Sequence, residues 1–257
     1  MKNEQLYNQT NSAPANAVVK LWGVIQWSLV RHKYLLPAFS LVQVAFALAI
    51  VYGLALIMPQ VDSASAVYLS SGALTLGIIA VGSVLAPQIV SSSKQNGIFN
   101  YQRTLPVARS TILLADIIIW SIAALPGIVM GCVASVLRFD LTISASLLSV
   151  VTILIVQITM ICIGFSIAYW LPPNAMALAT QLIMIGGLLF SPITYPAERL
   201  PEWTAHFYGV LPFVPSSNLV RASLFNSEPF PIINLCVVLI WGVSAFALAL
   251  VALSKRE

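Results

Sequence analysis

The charges of this chain fall in short clusters, and between them lie long runs of apolar residues. No Asp, Glu, Lys or Arg occurs between Lys33 and Asp62, between Asp62 and Lys94, or between Asp140 and Glu198, and only Asp116 interrupts the stretch from Arg109 to Arg138. Runs of about 20 apolar residues match the length of a helix crossing a hydrocarbon core of roughly 30 Å. The pattern predicts six spans, at about 35–58, 67–90, 112–137, 147–170, 175–190 and 231–253. The fourth and fifth are separated at Leu171-Pro172-Pro173-Asn174, because proline has no amide proton and clashes with the preceding turn. A closed barrel would show alternation in segments of about ten residues. The runs here are continuous, so the fold class is an all-α integral membrane protein.

Composition agrees. Of 257 residues, 59% are hydrophobic and 8% charged, whereas a soluble domain carries about 25% charged residues. The net charge of +4 is distributed as a topology signal rather than as a nucleic-acid patch. With the N-terminus inside, the inner segments hold nine basic residues (Lys2, Lys20, Arg31, Lys33, Lys94, Arg103, Arg109, Lys255, Arg256) and the outer segments three (Arg138, Arg199, Arg221). Both termini are therefore expected in the cytosol. Residues 1–16 are polar and lack the apolar core of a leader peptide, which makes them a cytosolic tail. Cys132, Cys162 and Cys236 all lie in apolar segments and form no CxxC pair, so they read as small buried hydrophobes.

Three connecting segments carry more information. In Ala17–Lys33, Leu21, Val24, Ile25 and Leu29 fall near one helical face, with Trp22 and Trp27 at headgroup level and Lys20, Arg31 and Lys33 toward the ends. This is either an amphipathic helix lying on the inner leaflet or an extension of the first span. The cytosolic loop Ser91–Ser110 mixes polar residues with Ile98, Phe99 and Tyr101. Large apolar side chains exposed there point to a partner surface, the alternative being a linker that dips into the membrane. The outer segment Ser191–Pro231 is rich in proline and aromatic residues. It is expected to form short helices near Glu202–Tyr208 and Asn218–Phe225, the second capped by Ser216 or Ser217. They lie in the outer interface, turn back into it, or form a simple cap.

The chain has no GxxxxGK[ST] and no HExxH, so it does not cradle a nucleotide by a P-loop or bind zinc in that manner. His32 and His206, the two histidines, are expected on opposite sides of the membrane, which removes a two-histidine metal site. No Ser/His/Asp constellation can be assembled. Asp116 is the acidic residue inside a predicted span. Burying an unpaired carboxylate is costly, so it either pairs with Arg109 or Arg103 near the cytosolic end of its helix or serves coupling or substrate passage. Ala123, Gly127, Gly131 and Ser135 stripe one face of the third span and permit close helix approach. Gln43, Gln157, Thr159, Thr180 and Gln181 are neutral polar groups that hydrogen-bond between helices or line a pathway.

The order of these features resembles the permease subunit of ABC-2 type transporters over the chain from about Ala17 onward. The resemblance rests on the helix before the first span, on NGIFNYQRTLPVARSTILLADI, on LLFSPITYPAERLPEW and on LPFVPSSNLVRASLF. Gly97, Leu105, Pro106, Arg109 and Leu113-Leu114 match the family's pattern, whereas Lys94, Gln95 and Asn96 stand where many relatives carry a glutamate. The resemblance implies that Asn96, Gly97, Ile98, Phe99, Tyr101 and Arg103 form a coupling helix docking on a separate ATPase subunit, which binds the ATP and magnesium. It implies that Pro192, Pro196, Leu200, Pro201 and Trp203 belong to an outer re-entrant hairpin. A second permease copy or a homologue, membrane lipids and a location in the plasma membrane (the inner membrane of a bacterium) follow from it.

The expected function is thus a non-enzymatic permease of an ATP-driven exporter for an amphipathic drug, a peptide or a lipid-linked cargo. Asp116, Gln157 and Gln181 are its pathway candidates. The rivals are an ion-coupled carrier using Asp116 and an intramembrane enzyme.

Overall fold

A computed structural model of the chain describes residues 17–57, 62–186, 191–195, 201–226 and 229–254, without the side chains of residues 54, 55, 57 and 103. The N-terminal tail 1–16, the hairpin residues Pro196 and Leu200, and the Arg103 side chain therefore lie outside the described residues. Among those described there is no strand.

The helices are α1 (Ala17–His32), α2 (Leu35–Ile57), α3 (Ser63–Ile79), a π-helical turn (Ala80–Leu85), α4 (Ala86–Gln95), α5 (Ile98–Thr104), α6 (Arg109–Phe139), α7 (Leu147–Trp170), α8 (Pro173–Ile185), α9 (Glu202–Val210), α10 (Phe213–Phe225) and α11 (Ile232–Ser254). Among the described residues, five stretches are long and apolar enough to cross a membrane: Leu35–Gly53, Ser63–Gln95, Arg109–Phe139, Leu147–Trp170 and Ile232–Ser254. They coincide with five of the six expected spans. The remaining expectation, 175–190, meets the shorter α8 of 13 residues, and residues 187–190 lie outside the described residues.

The second span is longer than its apolar run. Its 33 residues rise about 50 Å at ~1.5 Å each, against a core of ~30 Å. Ser91 to Gln95, expected in a loop, therefore continue the helix. The bundle is built around this element, for every residue from Leu69 to Val84 is buried. It can be central because α7 approaches it across two glycines. A Cβ on Gly164 would meet the carbonyl oxygen of Gly82, and one on Gly82 would lie 2.8 Å from the Met160 carbonyl carbon. At this crossing, the π-helical turn lets Ser83 Oγ donate to the Met160 carbonyl at 3.1 Å. Such turns insert an extra residue without ending the helix.

The small-residue stripe of the third span packs within the chain. A Cβ on Gly127 would overlap the side chain of Gln43 on α2, and one on Gly131 would meet Leu74 on α3 at 2.6 Å. Ser40 Oγ donates to the Ala123 carbonyl at 2.8 Å, one turn before Pro126 removes an amide from the α6 ladder.

Two expectations about the connecting segments are corrected. The α1 face containing Val24 and Ile25 covers Ala115 and Ile119 of α6 rather than lipid, because α6 offers a matching apolar seam. The face left exposed carries Val18, Val19, Trp22 and Val30. At the other end, the second short helix starts at Phe213, capped by Pro212, so Ser216 and Ser217 lie inside it. Ser216 Oγ bonds back to the Pro212 carbonyl at 2.6 Å. This helix is buried nearly throughout and packed on α3.

Candidate functional site

The chain reverses between α4 and α5 at Gly97, whose φ of +72° is a left-handed conformation that glycine adopts without a Cβ penalty. Asn96 N–H closes the α4 end on the Ser92 carbonyl at 3.0 Å, and Tyr101 N–H opens α5 on the Gly97 carbonyl at 3.2 Å. A helix of 7 residues cannot persist on its own hydrogen bonds. Its neighbours hold it.

Phe99 is the main anchor. It is 9% exposed and its ring lies 5.7 Å from that of Tyr169 at the end of α7. Lys94 secures the same junction, donating from Nζ to the Tyr169 carbonyl at 2.7 Å and lying 5.8 Å from the Phe99 ring centroid. Gln102 also points inward, while Arg109 Nη1 donates to the Gln102 carbonyl at 3.4 Å. Asn96, Gly97, Asn100, Tyr101 and Thr104 face outward, and Ile98 is half-buried. The expectation that all three large apolar side chains of this segment are exposed is corrected: Tyr101 is, and Phe99 is not.

Behind α5 lies a cluster of polar groups contributed by α1 and α6. Asp116 is buried and accepts from Ser28 Oγ at 3.2 Å. The positive charge of Arg31, also on α1, acts on it as well, so α1 supplies partners that the spacing along α6 does not indicate. A helix that crosses α6 brings its own hydroxyl and guanidinium, a pairing invisible to local spacing. Arg31 Nε donates to His32 Nε2 at 3.2 Å, while its guanidinium carbon lies 4.7 Å from the Trp27 ring centroid. Burial, reinforced by the charge of Arg31, pushes the His32 imidazole down to about 4, and burial also holds Arg31 below the ordinary arginine range. Arg31, His32, Gln102, Asp116 and Tyr169 enclose a cavity of about 10 Å3, room for about one water.

α1 and α5 meet at their aromatic residues. The Trp27 and Tyr101 rings are 6.2 Å apart. A groove of about 320 Å3 runs between Lys20, Gly23 and Trp27 on one side and Tyr101, Leu105 and Pro106 on the other. Trp22 and Lys33 are exposed, Lys33 lying 4.8 Å from the Tyr34 ring centroid.

The hairpin residues lie toward the opposite end. Pro192 and Ile193 are buried, and the segment 191–195 lies against Gly72 of α3. Pro201 and Trp203 are exposed at the start of α9. The pathway candidates are scattered: Asp116 sits in the α1–α6 contact, Gln157 is 1% exposed on α7 with neither amide atom bonded among the described residues, and Gln181 is exposed on α8. Sequence reasoning missed Ser28, Tyr169 and Arg221. Arg221 carried a legible signal, a lone charge in an apolar and serine-rich helix, which is a sign of a buried guanidinium.

None of the curated proteins matches the chain. The family model of the ABC-2 type transporter matches residues 19–225, a stretch that takes in α1, the α4–α5 reversal and the buried α10. The chain belongs to the ABC-2 type transporter family and is a membrane-embedded permease subunit of an ABC transporter.

Proposed function

We propose that this permease is the transmembrane half of an ATP-driven exporter, with α5 as the element on which a separate ATPase subunit bears. The observation that carries the reading is the construction of α5. A short helix, opened by Gly97 with Asn96 exposed just before it and carrying Tyr101 on its outer face, is fastened through Phe99 to α7 and abuts α1. A push on its exposed face is delivered to α7 and α1 and, through Gly97, to α4. Binding energy shifts a conformational equilibrium only by differential contact with its two states, so the ATPase must grip Asn96–Arg103 differently as it closes.

In this reading the α5 end faces the cytosol, α8 belongs to a sixth passage, and the segment 191–195 with α9 and α10 lies toward the outside. The exposed amide of Gln181, next to exposed Leu178 and Leu182 on α8, supports a surface turned to a second permease copy and a shared pathway, since a polar amide against lipid has no partner. An amphipathic drug, peptide or lipid-linked molecule suits a pathway lined by apolar residues with a few amides. The pairing of Asp116 with Ser28 supports a mechanical joint and weighs against an ion-coupled carrier.

Co-expression with the transporter-type ATPases of the same genome, followed by purification through a tag on the permease, is the direct test. A stoichiometric ATPase whose turnover is stimulated by the permease, with loss of stimulation in Tyr101→Ala, is the expected result. A permease that purifies alone and transports under a proton gradient without nucleotide contradicts it.

A further inference from the structure

Arg221 takes no part in the docking site, yet it is 4% exposed. Its guanidinium carbon lies 3.7 Å from the Tyr68 ring centroid, a cation–π contact with α3. The guanidinium fork is spread over three segments. Nε donates to Ser71 Oγ of α3 at 3.1 Å, Nη2 to the Ile193 carbonyl and to Ser217 Oγ, each at 3.2 Å, and Nη1 to Asn218 Oδ1 at 3.0 Å. Ser217 Oγ donates to that same Ile193 carbonyl at 3.2 Å. Ser217 and Asn218 lie on the helix of Arg221 itself, so the fork ties α10 and the 191–195 segment to α3.

The fit beneath this tie is close. A Cβ on Gly72 would lie 2.9 Å from both the Ile193 carbonyl oxygen and the Thr194 Cα, and Ile193 is fully buried. A buried charge is a poor way to gain stability, because an apolar side chain of similar volume fills such a site without the desolvation cost. What a guanidinium supplies is a planar fork with five donors at fixed angles, which a lysine cannot reproduce. It fixes position.

We propose that Arg221 is a positioning residue that pins the 191–195 segment to α3 and thereby keeps the outer end of the permease shut until the ATPases act. This rests on the permease reading and on the orientation given with it. Opening separates the segment from α3, so the α3 contacts and the Ile193 bond are the ones that must differ between the closed and open states.

The test uses the full-length permease assembled with its ATPase in sealed right-side-out vesicles. Cys132, Cys162 and Cys236 are replaced by alanine and Thr194→Cys is added as a reporter. A membrane-impermeant maleimide is supplied outside, with and without a non-hydrolysable ATP analogue trapped inside. With Arg221 present, labelling is expected to be slow without nucleotide and faster with it. In Arg221→Gln it is expected to be about ten-fold faster without nucleotide, as losing a hydrogen bond to a charged group predicts, with the nucleotide response abolished. Arg221→Lys keeps the cation over Tyr68 but not the fork, and should fall between. Tyr68→Leu, which leaves Arg221 in place, should also speed labelling, and it replaces Arg221→Gln if that variant does not assemble. Labelling at the parent rate in an assembled Arg221→Gln or Tyr68→Leu overturns the pin. If the parent shows no nucleotide response while Arg221→Gln still labels faster, the pin stands and the ATP-driven reading fails. Labelling only by reagent trapped inside overturns the outer placement of the pin.

Discussion

Truncating Phe99 and truncating Tyr101 should have opposite signatures, although the two residues are neighbours on one short helix. Phe99 is 9% exposed and packs on Tyr169 at 5.7 Å; Tyr101 is 56% exposed and touches Trp27 at 6.2 Å. Removing a buried phenylalanine costs about 3–5 kcal/mol. The lower figure applies here because a helix of 7 residues can detach locally without unfolding the bundle. About 3 kcal/mol corresponds to roughly a hundred-fold rise in local opening. The half-exposed Tyr101 ring contributes about 1 kcal/mol or less, a factor of about five. Hydrogen exchange of the 98–104 amides in the lipid-reconstituted permease reads both. Phe99→Ala should lose about two decades of protection, and Tyr101→Ala less than one. The ATPase should still bind Phe99→Ala weakly through whatever fraction of α5 stays docked, while Tyr101→Ala loses affinity with its fold intact. Equal protection losses, or a larger loss in Tyr101→Ala, would refute the assignment of anchor and contact face.

Other consequences are as definite. Gly164→Val should destabilise the permease by about 3 kcal/mol or more, since its Cβ would meet the Gly82 carbonyl oxygen in a packed crossing; loss of assembled protein on size exclusion would report it. Asp116→Ala removes the acceptor of Ser28 Oγ and should loosen α1 by about 1–3 kcal/mol, read as faster exchange of the α1 amides; no proton-driven transport is expected of either the parent or Asp116→Asn. The α1 junction should weaken in acid. His32 is held neutral in the fold, down to about 4 from the ordinary value of 6.5, so the unfolded segment binds the proton first and stability falls as pH drops through that window. Above about pH 6.5 the profile should be flat, and His32→Gln should remove the acid-sensitive part.

The sequence was legible where one physical signal dominated. Charge-free runs fixed five long helices to within a few residues, except where polar Ser91 to Gln95 continued a helix past the end of its apolar run. There α7 supplied partners, Lys94 reaching the Tyr169 carbonyl. Phe99 illustrates a second limit. A large apolar residue in a polar loop is equally consistent with docking outward and anchoring inward, and the position of Tyr169, 70 residues on, decides between them. Asp116 illustrates a third: local spacing offers Arg109, but crossing helices offer Ser28 and Arg31. The proline-rich outer segment was the least legible. Its aromatic content suggests an interface, whereas serines at four-residue contacts and one arginine make α10 a buried helix with its own hydrogen-bond network.

The most direct test of the central claim is a photo-crosslinker at position 101, where the side chain is exposed. In intact cells, with Tyr101 replaced by benzoylphenylalanine, irradiation should join the permease to a P-loop ATPase, and the adduct should diminish when that ATPase is deleted. Crosslinks to extracytosolic proteins, with no ATPase adduct from this position, would contradict the account.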